Sequence, residues 1–186
     1  MKQQMNKVNA DENKVAWEPF LEKMPIFGTL KKSYNFEWPT QDMVEKWPLD
    51  RNIQLQRIQS NWSSLKSIQF YLTQDITGAE LAASERSVID KDIMLNIAPL
   101  PGEKRSVPII EIGVKQTGQL KIEGLRFKYA TGDIHTIYQS EGPQSGIWKV
   151  KPVPEGYEII GLYGESDQDS IYSLGFIIWK PNPEAF

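Results

Sequence analysis

The last third of the chain consists of short β-type runs separated by glycine, and this pattern restricts the possible folds more than any other feature. Apolar side chains alternate with polar ones along residues 125–129 and recur in the glycine-separated runs 157–163 and 171–179. Successive side chains of a strand point to opposite faces of a sheet, so each run predicts a strand with a buried face. At Gly124 the apolar positions shift from even to odd numbers, which predicts a bulge or bend there.

The β-type pattern extends upstream of this region. Apolar residues alternate along 65–73, and Ile110, Ile112 and Val114 alternate in the same way. Residues 131–133 (TGD) predict a hairpin turn. About eight strands spaced roughly 10–15 residues apart favour an all-β antiparallel sandwich, barrel or prism. The phrases LKSIQFYL, IEGLRFKY and SLGFIIW share a shape, although no strict repeat is present.

Composition excludes several classes of protein. The 186 residues carry a net charge of −3 and no cysteine, which rules out disulfides, thiolate metal sites and cysteine nucleophiles. The sequence has no basic stripe of the kind that indicates a nucleic-acid partner. The N-terminus lacks the apolar core of a classical signal peptide, and no apolar run approaches the length of a membrane span. We therefore expect an intracellular protein (cytoplasm, cytoskeleton or organelle) without a cofactor.

Residues 1–52 differ from the rest and predict an extended arm before a β-domain at residues 53–186. Three of the six tryptophans lie in this arm, and prolines at 19, 25, 39 and 48 interrupt it. One short helix is predicted at residues 41–47. Thr40 is a favourable N-cap, Asp42 lies in the first turn, and Pro48 ends the helix.

The aromatic side chains of the arm have two interpretations. They dock on the protein's own β-domain, or they anchor a protein partner, because tryptophan and other aromatic residues dominate interface hot spots. Under the second interpretation, deleting residues 1–50 leaves a folded β-domain that no longer joins its assembly. If Ile178 and Trp179 are both buried, one contacts the core and the other the arm or a partner. The predicted partner-binding residues are Trp17, Phe20, Phe27, Trp38 and Trp47.

Three stretches of the β-region resemble a known family. They read LKSIQFYLTQDITG, IIEIGVKQTGQLKIEGLRFKYATGDIHTIYQSEG and YEIIGLYGESDQDSIYSLGFIIWKP. Their apolar and glycine pattern is similar to that of jacalin-like lectin domains over roughly residues 53–181. The resemblance implies a β-prism of three antiparallel Greek-key sheets. The matching positions in the last stretch are Ile160, Gly161, Leu162, Gly164, Ser166, Leu174, Gly175 and Pro181.

The sugar-binding loop implied by this resemblance is altered. Sugar-binding members carry a G-x-x-x-D loop before the final strand, whereas here Gln168 stands four residues after Gly164. Asp167 or Asp169 then supplies the carboxylate in a slightly longer loop, or both lie in a solvated turn. The glycine-rich first loop of the family is also missing at residues 60–64. The residues implied as sugar-binding are Gly164, Ser166, Asp167, Asp169 and Tyr172.

No group of residues in the sequence predicts catalysis. His135 is the only histidine, and it falls in the middle of a predicted strand, which favours a structural or surface role. Phosphate-binding glycine loops and metal-ligand spacings are absent from the sequence. The first hypothesis is a non-catalytic structural or interaction subunit, held in a larger intracellular assembly of proteins by its arm. The alternative is a carbohydrate-binding lectin that uses the 164–172 loop.

Overall fold

The computed structural model describes residues 17–28, 34–48, 53–61, 67–73, 76, 81–82, 92–96, 107–117, 121–138, 146–166 and 171–183. Within them the chain forms strands and one short helix. In chain order these are β1 (Leu21–Lys23), β2 (Phe27–Gly28), β3 (Tyr34–Trp38), α1 (Gln41–Val44), β4 (Leu55–Asn61), β5 (Ser67–Leu72), β6 (Leu81–Ala82), β7 (Asp92–Asn96), β8 (Ile109–Thr117), β9 (Ile122–Tyr129), β10 (Ile134–Tyr138), β11 (Gly146–Pro152), β12 (Glu158–Ser166) and β13 (Ile171–Trp179).

Two of the three sheets are formed by consecutive strands. One has the spatial order β7-β4-β5-β6 and the other the order β11-β8-β9-β10, with antiparallel neighbours throughout. In each sheet a fourth strand returns to lie beside the first, which is the order of a Greek key. The predicted all-β fold with antiparallel Greek-key sheets is confirmed.

The third sheet joins the two ends of the chain, and we call it the terminal sheet. Its order is β3-β12-β13-β1, and β2 also pairs with β13. Strands from both sides of the boundary predicted at residue 52 therefore share one sheet. The described part of residues 1–52 is not a separate arm, because it supplies strands that complete the third sheet.

Three phenylalanines, one on each sheet, meet in the core. Phe70 of β5 and Phe127 of β9 pack against Phe176 of β13, with ring centroids 6.5 and 6.1 Å away. All three side chains are almost fully buried. They occupy corresponding places in the three phrases of shared shape, LKSIQFYL, IEGLRFKY and SLGFIIW. The three sheets therefore pack around a common aromatic centre.

Two β-bulges set which residues face this core. The register of β8 with β9 shifts between Lys115 and Gln116, opposite Gly124, so the irregularity predicted at this glycine is confirmed. A second shift lies between Ile109 and Glu111. It leaves Ile110 41% exposed, whereas Ile109 is buried. The predicted regular alternation that begins at Ile110 is therefore wrong at its first position.

Helix α1 begins where the sequence predicts. The hydroxyl of Thr40 accepts a hydrogen bond from the backbone N–H of Met43, as an N-cap does. The helix ends at Val44, and the chain continues through turns to Trp47 instead of forming the longer predicted helix. Val44 is completely buried, so this single helical turn is held against the body of the protein.

Tyr129 makes the stability of the fold sensitive to high pH. Its side chain is buried, its hydroxyl has no hydrogen-bond partner among the described residues, and burial raises its pKa to about 12. Above pH 10 the unfolded chain loses this proton before the folded protein does, so we expect the free energy of unfolding to fall between pH 10 and 12. Urea titrations across this pH range should show a smaller fall in the free energy of unfolding for Tyr129→Phe than for the unaltered protein. Equal falls in the two proteins would contradict the role of Tyr129.

Candidate functional site

Several strand ends meet at one end of the terminal sheet. Ser166, the last residue of β12, pairs with Tyr34 at the start of β3 and with Ile171 at the start of β13. The last residue of β2 also pairs with β13 close to this end. The connections that follow β2 and β12 therefore leave the sheet from the same end.

Close backbone contacts explain the glycines at this end. A Cβ atom on Gly164 would lie 2.1 Å from the carbonyl oxygen of Ser173 and 2.8 Å from the ring of Phe36. Gly28 has a φ angle of +91°, and a Cβ there would lie 2.1 Å from the carbonyl oxygen of Tyr172. Real Cβ contacts are essentially never shorter than 3.0 Å. Glycine at both positions therefore permits the close packing on either side of the β12–β13 connection.

The residues predicted to bind sugar fall into two groups. Gly164, Ser166 and Tyr172 are buried, and the two side chains are only 4% and 6% exposed. These three residues shape the end of the sheet and present little surface to a ligand. Asp167 and Asp169 lie outside the described residues, so their role as ligand-binding carboxylates stays a prediction.

Four of the five predicted partner-binding aromatics pack within the protein itself. The rings of Trp17 and Trp47 lie 5.8 and 6.1 Å from that of Trp179, and Trp38 lies 5.7 Å from Trp47. Phe27 is almost fully buried in the core. For these four residues, the described structure agrees with the interpretation in which the aromatic side chains dock on the protein's own β-domain.

The neighbouring residues Ile178 and Trp179 are both buried, although they point to opposite faces of β13. The sequence predicted that in this case one side chain contacts the core and the other the N-terminal arm or a partner. Trp179 packs against Trp17 and Trp47 of the N-terminal segment, and Ile178 belongs to the core cluster. This prediction is confirmed.

Phe20 is the exception among the predicted aromatics, because its side chain is 67% exposed. The side-chain amide of Gln41 holds the backbone on both sides of it. Its Nε2 atom donates to the carbonyl oxygen of Pro19 at 2.7 Å, and its Oε1 atom accepts from the backbone N–H of Leu21 at 3.1 Å. The Phe20 ring borders a groove of about 570 Å³ that is lined by Phe20, Leu21, Lys23, Glu37, Gln41 and Ile177.

A polar strip crosses the outer face of the terminal sheet beside this groove. The Nζ atom of Lys23 lies 2.9 Å from the Glu37 carboxylate and 5.1 Å from the ring centroid of Tyr163. The Tyr163 hydroxyl donates to the carbonyl oxygen of Met24, and its ring covers Gly175. Burial, and then the negative charge of Glu37, raise the pKa of Tyr163. Sequence analysis missed this strip because Lys23 and Glu37 come from strands at opposite edges of the sheet.

The remaining candidates do not form a second site. His135 is exposed on β10, with its ring 5.0 Å from that of Tyr129. In the part of the chain that the structure describes, no group of three histidine, cysteine, aspartate or glutamate side chains is placed to hold a metal ion. Among the same residues, no helix has the length and apolar character needed to cross a membrane.

Solved structures that match this chain include lectins. The chain matches a mannose-specific jacalin-related lectin from Morus nigra, solved in complex with mannose, at a TM-score of 0.59 and 15% sequence identity. The match covers 89% of this chain and 99% of the lectin chain. The protein has a jacalin-like lectin fold. The jacalin-like resemblance predicted from the sequence is therefore confirmed at the level of the β-prism.

Two further solved structures match this chain. Frutapin, a lectin from Artocarpus incisa, matches with a TM-score of 0.57 and 12% identity, over 89% of this chain and 99% of the lectin. A lamprey immune protein matches with a TM-score of 0.56 and 16% identity, over 88% of this chain and 45% of that protein. No protein-family model and no curated protein sequence matches the chain.

The jacalin-like glycine pattern has a structural cause in this chain. A Cβ atom on Gly161 would lie 2.1 Å from the carbonyl oxygen of Trp38, and one on Gly175 would lie 2.3 Å from the ring of Tyr163. Gly164 is restricted in the same way by Ser173. These three glycines record how closely neighbouring groups approach β12 and β13.

Proposed function

We propose that this jacalin-like domain binds carbohydrate at the end of the terminal sheet where β12 ends and β13 begins. The observation that carries the proposal is the position of the β12–β13 connection. It contains Asp167 and Asp169, and it is bounded by the paired residues Ser166 and Ile171. Along the chain, the two aspartates therefore stand between two strand ends that pair with each other at one end of the terminal sheet.

The chemistry of the connection suits a sugar. An ionised carboxylate accepts hydrogen bonds at two oxygens, so one aspartate can accept hydrogen bonds from two neighbouring sugar hydroxyls. Backbone N–H groups of a connection supply donors to the sugar oxygens. The Morus nigra lectin of the same fold is mannose-specific, which supports a hexose as the ligand class.

The strand ends around the connection are held in place by close packing. Ser166 and Tyr172 are buried, and Gly28 and Gly164 allow the neighbouring backbones to approach closely. Strand ends held in this way reduce the ordering that a small ligand must impose on its site. Pre-organisation of this kind raises affinity mainly by lowering that cost.

Replacing both aspartates tests the proposal. We expect Asp167→Ala/Asp169→Ala to abolish saturable binding to a glycan array that includes mannose, because the acceptors for the sugar hydroxyls are removed. The melting temperature should be unchanged. Asp42→Ala is the matched control, since it removes one exposed carboxylate from helix α1 and should leave glycan binding intact. Absence of saturable binding by the unaltered protein, or equal affinity in the double variant, would contradict the proposal.

A non-catalytic interaction role is the second candidate. Phe20 favours it, since this ring alone among the five predicted partner-binding aromatics is largely exposed in the described structure. Membership in a multi-subunit assembly and an intracellular location stay predictions from the sequence. The binding role, in either form, requires no catalytic residues.

A further inference from the structure

The exposed ring of Phe20 is attached to a fixed backbone. The amide of Gln41 bonds to Pro19 and Leu21 and so holds both neighbours of Phe20, in the way that a paired strand would. Gln41 is itself the first residue of helix α1, which begins at the Thr40 cap. An exposed apolar side chain on a backbone that is already held adds little backbone entropy cost on binding, which suits an interface anchor.

Apolar and polar residues both line the groove beside this ring. Its apolar lining residues are Phe20, Leu21 and the buried Ile177. The paired side chains of Lys23 and Glu37 also line it and are each about half exposed. At about 570 Å³ the groove has room for more than one side chain.

The charged groups shown at the groove are two carboxylates and one lysine. Glu37 and Lys23 line the groove and are paired with each other. Glu45 lies next to the groove, since its Oε1 atom accepts a hydrogen bond from Gln41 at 3.2 Å. The net charge of these three groups is negative, so the complementary surface of a partner would be positive.

We propose that this groove is a docking site for a peptide segment of another protein in which bulky apolar side chains alternate with lysine or arginine. An apolar side chain of the segment packs between Phe20 and Ile177, and its basic residues lie over Glu37 and Glu45. The proposal deepens the second candidate function and is independent of carbohydrate binding, because the groove lies on the outer face of the terminal sheet and not at the β12–β13 connection.

The test is the fluorescence anisotropy of labelled short peptides titrated with the full-length protein. One probe alternates leucine and phenylalanine with arginine, a second replaces arginine with glutamate, and a third replaces the apolar residues with serine. We expect saturable binding of the first probe, weakened by added salt, and much weaker binding of the other two. Phe20→Ser should lower the affinity for the first probe about tenfold, which is the loss typical of a hot-spot side chain.

The controls distinguish peptide binding at the groove from nonspecific binding to exposed apolar residues and from binding at the proposed sugar site. Ile134→Ser removes a side chain that is 51% exposed on a different sheet, and it should leave peptide affinity unchanged. Phe20→Ser should keep the melting temperature and any glycan binding. Equal binding of the acidic probe, or an unchanged affinity in Phe20→Ser, overturns the proposal. So does concentration-dependent self-association that Phe20→Ser abolishes, because the occupant would then be a second copy of the chain.

Discussion

Deletion of residues 1–50 is expected to abolish the cooperative folding of the remaining chain. The deletion removes β1 and β2 from one side of β13 and β3 from the free side of β12. Both long strands of the terminal sheet then become edges, and exposed edges of apolar strands lead to aggregation. The core also loses Met24, Phe27 and Val44. This expectation is the opposite of the one that follows from reading the segment as an independent arm.

Contacts beyond the sheet add to the expected effect. The Nζ atom of Lys151, on β11, donates to the carbonyl oxygens of Pro25 and Ile26 at 3.0 and 2.8 Å and lies 4.2 Å from the ring centroid of Phe27. Burial, and then the charge of Lys149, lower the pKa of Lys151. The N-terminal segment therefore also fastens the terminal sheet to the β8–β11 sheet.

Differential scanning calorimetry and near-ultraviolet circular dichroism of the truncated protein measure this result. We expect no sharp transition and weak aromatic signals. Adding a synthetic peptide of residues 17–48 should restore both, because it returns β1, β2, β3 and α1 to their partners. A truncated protein that melts cooperatively near the temperature of the full chain would show that the N-terminal strands are dispensable.

Features that depend on neighbouring residues were predictable from the sequence. The change of apolar phase at Gly124 marks the bulge in β9, and the Thr40 cap marks the start of α1. The three phrases of shared shape place Phe70, Phe127 and Phe176 at corresponding positions, and these rings meet in the core. Each of these signals is local, because strand periodicity and helix capping are set within a few residues.

Features that depend on distant pairing were not predictable in the same way. Strand β1 has only three residues, LEK, which is too short for its alternation to be recognised, and its partner Ile177 lies far along the chain. Strand β3 likewise depends on β12 for its pairing. The groove beside Phe20 requires Gln41 to meet Pro19, and no periodicity records such a contact. The aspartates of the β12–β13 connection remain predictions from the jacalin-like resemblance alone.

Phe176→Ala is expected to cause the largest loss of stability among single core substitutions. Its ring is fully buried and lies 6.4 Å from Phe27, 6.5 Å from Phe70 and 6.1 Å from Phe127. Truncation leaves a cavity bordered by all three sheets, which cannot collapse without moving one of them. A buried Phe→Ala change costs about 3–5 kcal/mol. That is a large share of the roughly 5–15 kcal/mol by which a domain is stable.

Urea unfolding of Phe176→Ala and Phe20→Ala, measured side by side, distinguishes the effect of burial from the effect of removing a phenylalanine ring. Both substitutions remove the same ring, but Phe20 is 67% exposed, so its loss should change the free energy of unfolding by less than about 0.5 kcal/mol. Phe176→Leu should recover part of the lost stability, because it refills some of the cavity with apolar volume. Similar small losses for Phe176→Ala and Phe20→Ala would mean that the three sheets do not pack around a shared aromatic centre. A large loss confined to Phe176→Ala would support the packing of the three sheets around one shared aromatic centre.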